Sequence, residues 1–249
     1  MIYFLKPLYA VLPAAILMWF LCGRGKGLSI SFEKVKWAYI WGIIAFIVVI
    51  LSPPSSPEVK NIFNILCCSA FPEELTKMAI MLVLLRRFRC SNLIDVLVIC
   101  GSVGLGFACL ENLIYVLPES NWIIVSIVRA ISSVPSHFSY AIIMGYFVYR
   151  AFNIVQTKKQ KFFNLSIAFI LPTLIHWNHN AFLILSESIL ISLIVYIIQI
   201  VLLIIVLKIL KKARKEAISK QQIISNDTVM TITKIIGVLI IISALLDWV

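Results

Sequence analysis

Residues 93–117 read LIDVLVICGSVGLGFACLENLIYVL. A bilayer crossing needs about 20 predominantly apolar residues in a helix, and this run supplies them. It is not uniformly apolar. Gly101, Ser102, Gly104, Gly106 and Ala108 are small, which suits close helix–helix contact in a membrane. Glu111, Asn112 and Tyr115 then bring polar groups into a segment that lipid cannot solvate. Such a run predicts one helix of a larger bundle, with polar groups that face the bundle interior.

Working outward, seven further apolar runs follow at residues 2–22, 35–52, 60–85, 121–149, 162–185, 189–210 and 232–249. Together they make about eight transmembrane helices at the length a helical crossing takes. Of 249 residues, 61% are apolar and 13% charged. The mean hydropathy is +1.02. A soluble domain carries about 25% charged residues, so no soluble domain is expected beside the spans. The expected fold is an all-α, polytopic integral membrane bundle: one domain over residues 1–249, enclosing an intramembrane polar cavity. Residues 2–22 have no small-residue cleavage site before Gly23 and read as a first helix, not a signal peptide. Cys22, Cys67, Cys68, Cys90, Cys100 and Cys109 lie in or beside apolar runs without the spacing of a disulfide framework.

The net charge of +11 comes from clusters between spans, with no soluble face to carry nucleic acid. Arg24, Lys26, Lys34 and Lys36 follow the first span, and Arg86, Arg87 and Arg89 the third. Arg150, Lys158, Lys159 and Lys161 follow the fifth, and Lys208, Lys211, Lys212, Arg214, Lys215 and Lys220 the seventh. The connections at 52–58, 118–120 and 186–188 hold no Lys or Arg. Basic loops face the cytoplasm, so the protein belongs in the cell membrane with both termini extracytoplasmic. Residues 211–228 read as a basic cytoplasmic loop, either a solvated charge run or a surface helix on anionic lipid. Trp37, Trp41, Trp122 and Trp248 sit near span ends, as interfacial anchors do.

Polar groups inside the spans point to function, because each charge at a helix centre costs about 2.5–3.5 kcal/mol to insert. They are Glu73, Glu74 and Lys77; Glu111, Asn112 and Tyr115; Arg129 and His137; and His176, Asn178, His179 and Asn180. Glu73 lies 13 residues before Arg86, His137 13 before Arg150, and His176 15 after Lys161. At about 1.5 Å per residue all three reach one level, roughly 20 Å from the basic anchors. On the same scale Asn180 lies a turn further out and Glu111 further still. Pro72, Pro135 and Pro172 precede these groups. Each removes a backbone donor and frees a carbonyl, which a hydrated cavity could satisfy.

Peptide hydrolysis needs a base to activate water, groups to orient it and donors for the oxyanion. Glu73 or Glu74, His137, His176 and Asn180 fill these roles. Lys77, one turn from both glutamates, offsets one of the two adjacent charges. Other readings compete. The set could be an interhelical hydrogen-bond cluster that only holds the bundle. It could be a zinc site on His137, His176, His179 and a Glu, although there is no HExxH. A proton-coupled transporter would use similar groups, although no inverted repeat is visible. A cysteine protease is less apt, since cysteines in apolar helices behave as small hydrophobes. On the hydrolase reading no cofactor is needed, because Glu and His activate water themselves.

Four elements then carry a family resemblance. Phe71-Pro72-Glu73-Glu74-Leu75-Thr76-Lys77 resembles the EExxK motif of PrsW-type proteases, and residues 106–115, GFACLENLIY, resemble their GFAxxENxxY element. His137 with Gly145 eight residues later resembles the third element, and His176 with Asn180 the fourth, HxxxN in place of the HxxxD of many members. The motif core covers residues 65–185. The resemblance implies a glutamic intramembrane protease within the wider superfamily of CPBP proteins and CaaX-prenyl proteases. The shorter spacing of EExxK, against EExxxR in the CaaX branch, makes a prenylated substrate doubtful. It further implies Glu73 as general base with His137 sharing the water, and His176 and Asn180 at the oxyanion. Lys77, Glu111, Asn112 and Tyr115 stand in support. The implied partner is a membrane-anchored protein or peptide, such as an anti-sigma factor.

Overall fold

A computed structural model of the chain describes residues 2–22, 28–52, 61–185 and 188–219, and among them every regular element is helical. These are α1 (Ile2–Cys22), α2 (Phe32–Leu51), α3 (Ile62–Ile65), α4 (Phe71–Phe88), α5 (Leu93–Val116), α6 (Trp122–Ile131), α7 (Ser133–Tyr149), α8 (Lys158–Leu185) and α9 (Ile189–Ser219). A π-helical turn, Leu66–Ala70, joins α3 to α4, and a second, Arg150–Ile154, ends α7. Counting α3–α4 and α6–α7 as single bodies, seven helical bodies fall on the first seven expected spans. The eighth, 232–249, lies outside the described residues, so the count of eight becomes seven among them. Five segments are long and apolar enough to cross a membrane: Leu5–Cys22, Phe32–Leu51, Leu93–Val116, Lys158–Leu185 and Ile189–Ser219.

The other two bodies are interrupted, each beside a proline. Pro72 cannot donate to the carbonyl four residues back, and its ring crowds that carbonyl. The π turn Leu66–Ala70 sits just ahead of it and takes up the misfit. The expected single span 121–149 is broken at Ser132, whose φ of −115° and ψ of −76° depart from the α-helix. Pro135 then occupies the first turn of α7, where a missing N–H costs least. Pro172 stays inside an unbroken α8. Residues 211–219 continue α9 as helix. Residues 220–228 lie outside the described residues. Asn92 starts α5 by accepting from the Asp95 backbone N–H at 2.9 Å, and Asn61 starts α3 by accepting from that of Asn64 at 2.7 Å.

α5 is the hub, in contact with α1, α2, α4, α6, α7 and α9. Its small residues permit this. A Cβ on Gly106 would come within 2.0 Å of the Tyr39 carbonyl oxygen, and one on Gly42 of α2 within 2.1 Å of that of Val103. The two helices therefore touch backbone to backbone. Across α5, Gly104 meets His137 and Ala141 of α7, while Gly145 admits Cys100. The glycine eight residues after His137 thus seats α7 on α5 at the register that delivers His137. At the basic end of the bundle the Arg214 guanidinium donates to the Leu21 carbonyl at 2.7 Å, tying α9 to the last turn of α1. At the opposite end the Lys6 ammonium donates to the carbonyls of Leu117 and Glu119.

Candidate active site

Four helices bring their polar groups to one place, at the wall of a cavity of about 750 Å³. α4 contributes Glu73, Glu74 and Lys77, α5 Glu111, α7 His137, and α8 His176 and Asn180. Glu73, Glu111, His137, His176, His179 and Asn180 line the cavity. Glu74 and Lys77 sit behind it, fully buried.

The charges are paired in sequence across the helices. Glu74 Oε1 accepts from Lys77 Nζ at 2.6 Å and lies 2.8 Å from His176 Nδ1. Lys77 Nζ lies 3.0 Å from His137 Nδ1 and 4.4 Å from the centre of the Phe107 ring. His137 Nε2 is 2.8 Å from Glu111 Oε2. That carboxylate oxygen is also 3.0 Å from the Arg129 guanidinium. Glutamates thus alternate with the cationic side chains through the two imidazoles, which is how a low-dielectric interior can hold charges. The partners also assign the tautomers. His137 faces an ammonium at Nδ1, so its proton is on Nε2, toward Glu111. His176 faces a carboxylate at Nδ1, so its proton is there and Nε2 carries the lone pair. Asn180 Nδ2 donates to that lone pair at 3.1 Å and to Ser69 Oγ at 2.9 Å.

Glu73 differs from its neighbour. Its Oε1 accepts from Ser69 Oγ at 3.2 Å, while Oε2 is buried with no hydrogen-bond partner among the described residues. That atom lies 3.9 Å from His176 Nε2. Glu74 Oε2 is also without a partner among the described residues, but Glu74 is paired through Oε1 behind the cavity, and of the two only Glu73 lines it.

The level expected for Glu73, His137 and His176 agrees with these distances, since the two imidazole centres are 5.1 Å apart. Glu111 is not further out, because it touches His137. Side chains on a helix lean toward its N-terminus, and α5 and α7 meet at this point with their leans converging. Tyr115 also lines the cavity, half exposed and stacked on the Arg129 guanidinium at 4.2 Å. Asn112 donates to the Ala10 carbonyl at 2.6 Å and accepts from Arg129 Nε at 2.7 Å, so it anchors α1 and Arg129. Asn178 bonds back to its own helix at Leu174. His179 is buried at the cavity wall, with no partner for Nδ1 among the described residues.

Three participants escape the motif reading. Ser69 bridges Glu73 and Asn180, Tyr140 stacks on His176 at 5.3 Å, and Ser133 joins Arg129 to Glu111. Ser69 is four residues before Glu73, and Ser133 four before His137, so helical spacing alone could have found both. Tyr140 carries no such signal, because an aromatic in an apolar span reads as packing.

Among the described residues one group could hold a metal: single donor atoms of Glu73, His137 and His176 lie within 4.8 Å of one another. Of the donors expected from sequence, His137, His176 and a glutamate, Glu73, are brought together, and His179 is not in the group. Glu73 Oε2 has no partner among the described residues, the His176 Nε2 lone pair is held by Asn180 alone, and Glu74 behind His176 is the second-sphere carboxylate a ligating histidine favours. His137 presents an N–H. A catalytic zinc takes three protein ligands, and Glu73, His137 and His176 offer one donor atom each, so these are the residues that would hold one, with His137 giving up the proton it directs at Glu111.

An all-helical bundle with paired carboxylates, imidazoles and an amide buried around a cavity defines a polytopic membrane protein with an intramembrane polar site. The model of the PrsW family intramembrane metalloproteases matches residues 30–207, and the chain belongs to that family. Over 89 residues it is 39% identical to Protease PrsW of Oceanobacillus iheyensis, covering 36% of this chain and 39% of that protein. It is 37% identical over 93 residues to Protease PrsW of Geobacillus kaustophilus, covering 37% and 39%. With Protease PrsW of Clostridioides difficile it shares 34% over 86 residues, covering 33% and 35%. The matched region thus spans about two-fifths or less of these relatives' length. No solved structure matches the chain.

Proposed function

We propose that the chain is an intramembrane endopeptidase that cuts a membrane-anchored protein or peptide, with Glu73 as the base that activates water. The observation that carries this reading is the free, buried Oε2 of Glu73 at the cavity wall, 3.9 Å from the lone pair of His176 Nε2. A water within hydrogen-bond reach of both atoms gives a proton to Glu73 and attacks the scissile carbonyl carbon. The Asn180 amide, whose N–H groups rest on Ser69 Oγ and His176 Nε2, turns one of them to the developing oxyanion as the water takes its place on His176. As the tetrahedral intermediate collapses and the C–N bond breaks, Glu73 returns its proton to the leaving amine.

Glu74 and Lys77 act through His176: the carboxylate fixes its tautomer and the ammonium balances the carboxylate. The resemblance put His176 at the oxyanion and His137 at the water. The hydrogen bonds support another division, in which His176 orients the water and His137, committed to Lys77 and Glu111, keeps Glu111 in place. The Glu-Glu, His, His order supports placement beside the CPBP and CaaX proteases. The alternation of basic and non-basic connections supports eight spans with the basic ends in the cytoplasm and both termini outside. A membrane-anchored regulator such as an anti-sigma factor, or a peptide undergoing maturation, suits such a site as substrate.

The experiment is cleavage of a single-span reporter substrate in liposomes, with and without 1,10-phenanthroline. Wild-type protein is expected to cleave in the presence of chelator and Glu73→Gln to be inactive. Activity lost to chelator and restored by zinc would establish the metal reading that the family description names. Full activity of Glu73→Gln, with Glu74→Gln dead, would exchange the roles of the two glutamates.

A further inference from the structure

Away from the polar cavity, the ends of α4 and α7 and the start of α5 enclose a second cavity, of about 580 Å³, at the basic end of the bundle. Its walls are apolar, with Val83, Leu85, Val96 and Phe152 among them, and Arg86 and Arg89 stand at its edge. Phe152 comes from the π turn that ends α7. We propose that this is a binding site for an anionic diacyl phospholipid, with an acyl chain in the apolar slot and the phosphate on Arg86 and Arg89.

Three observations favour that occupant. First, both arginines are exposed, and neither makes an ion pair among the described residues. Their guanidinium forks match a phosphate bidentately. Second, Arg89 caps α4 in the left-handed conformation, with φ of 54° and ψ of 45°. Glycine is the usual residue there, because a Cβ is disfavoured. A helix stop alone would be better served by glycine, whereas arginine brings a cation to the edge of the slot. Third, the carboxylates near the slot do not neutralise it. Asp95, beside Cys90, is taken up by Ser29 and by Asn92. Glu216, beside Tyr149, lies on α9 among Lys211, Lys212, Arg214 and Lys215. The charge at the edge therefore stays positive, while the slot opens where acyl chains meet headgroups. Basic pockets between helices at that level select anionic lipid headgroups. A neutral lipid would fill the slot and leave the arginines unmatched.

The test uses the full chain in nanodiscs of phosphatidylcholine containing a minor fraction of phosphatidylglycerol, with retained lipid read by native mass spectrometry. Wild-type protein should retain phosphatidylglycerol well above its share of the bilayer. The double variant R86Q/R89Q should bind it roughly 30-fold more weakly, the factor for about 1 kcal/mol per basic residue at 1.36 kcal/mol per tenfold. Val83→Trp, which fills the slot and keeps the arginines, should also lose it. Arg87→Gln, next in sequence but not lining the slot, should not. Retention in proportion to bilayer composition by the wild type would overturn the proposal without reference to any variant. An effect of R87Q equal to that of R86Q/R89Q, or undiminished retention in V83W, would reduce the effect to diffuse surface charge and overturn it as well. The outcome is independent of whether the polar cavity cleaves peptides.

Discussion

α5 and α9 are both long helices, and the spanning window of α9 is the more apolar of the two. Yet 89% of the spanning window of α5 is buried inside the protein and only 17% of that of α9. In a soluble protein the more apolar helix would be expected at the core. Here lipid is as apolar as leucine, so hydropathy does not drive helices together. The discriminating features are small residues and polar ones. α5 has glycines that admit neighbouring backbones, and it carries Glu111 and Asn112 into polar company. α9 presents exposed Ile and Leu side chains such as Ile189, Leu193, Ile197 and Ile204 along most of its surface. Its buried polar contact is Gln199, whose Oε1 accepts from Ser136 Oγ of α7 at 2.7 Å.

If buried polar groups mark function and exposed apolar ones mark lipid, substitutions should sort along that line. The largest effect is expected at Glu73. Glu73→Gln keeps size and hydrogen bonding to Ser69 but removes the base, and cleavage of a liposome-embedded reporter should fall about 10²–10⁴-fold. A fall of less than tenfold would make the buried glutamates packing elements and erase the contrast with α9. Next is Asn180. Asn180→Ala should slow cleavage about 10²–10³-fold, as loss of one oxyanion donor does. Asn180→Asp, which can still hydrogen-bond within the site, should be milder. Equal and mild effects of the two changes would leave Asn180 as a packing residue that only bridges His176 and Ser69.

Third comes the α2–α5 contact, where stability and not rate is the readout. Gly106→Val puts a branched side chain where the Tyr39 carbonyl already sits. It should destabilise the protein by about 1–3 kcal/mol, the usual range for overpacking, seen as a lower melting temperature in detergent. An unchanged melting temperature would mean that α5 is not the tight hub its glycines describe. The smallest effects belong to α9. Gln199→Leu should cost about 0.6 kcal/mol, the average for an interhelical hydrogen bond in a membrane. Ile197→Val, on the exposed face, should stay within about 0.5 kcal/mol of wild type. A larger loss at Ile197 would place a protein partner, not lipid, against that face.

Much was legible in the sequence because the bilayer imposes strong rules. Length and hydropathy of the runs determined that the described residues are helical and placed seven of the expected spans. The cost of burying Glu73, Glu74, Lys77, His137 and His176 marked them out before any contact was known, and counting from the basic anchors brought three of them to one level. What only the tertiary structure decided is how the helices break and which atoms face each other. The π turn before Pro72 and the break at Ser132 are local adjustments that aim side chains, and hydropathy is blind to them. The separation of Glu73 from Glu74 is a matter of about 100° of helix rotation, the turn of one residue. It sends one carboxylate to Lys77 and His176 and leaves the other with an oxygen facing the cavity. Adjacent and chemically identical in sequence, the two glutamates differ because a helix presents successive residues to different neighbours, and those neighbours come from helices remote in the chain.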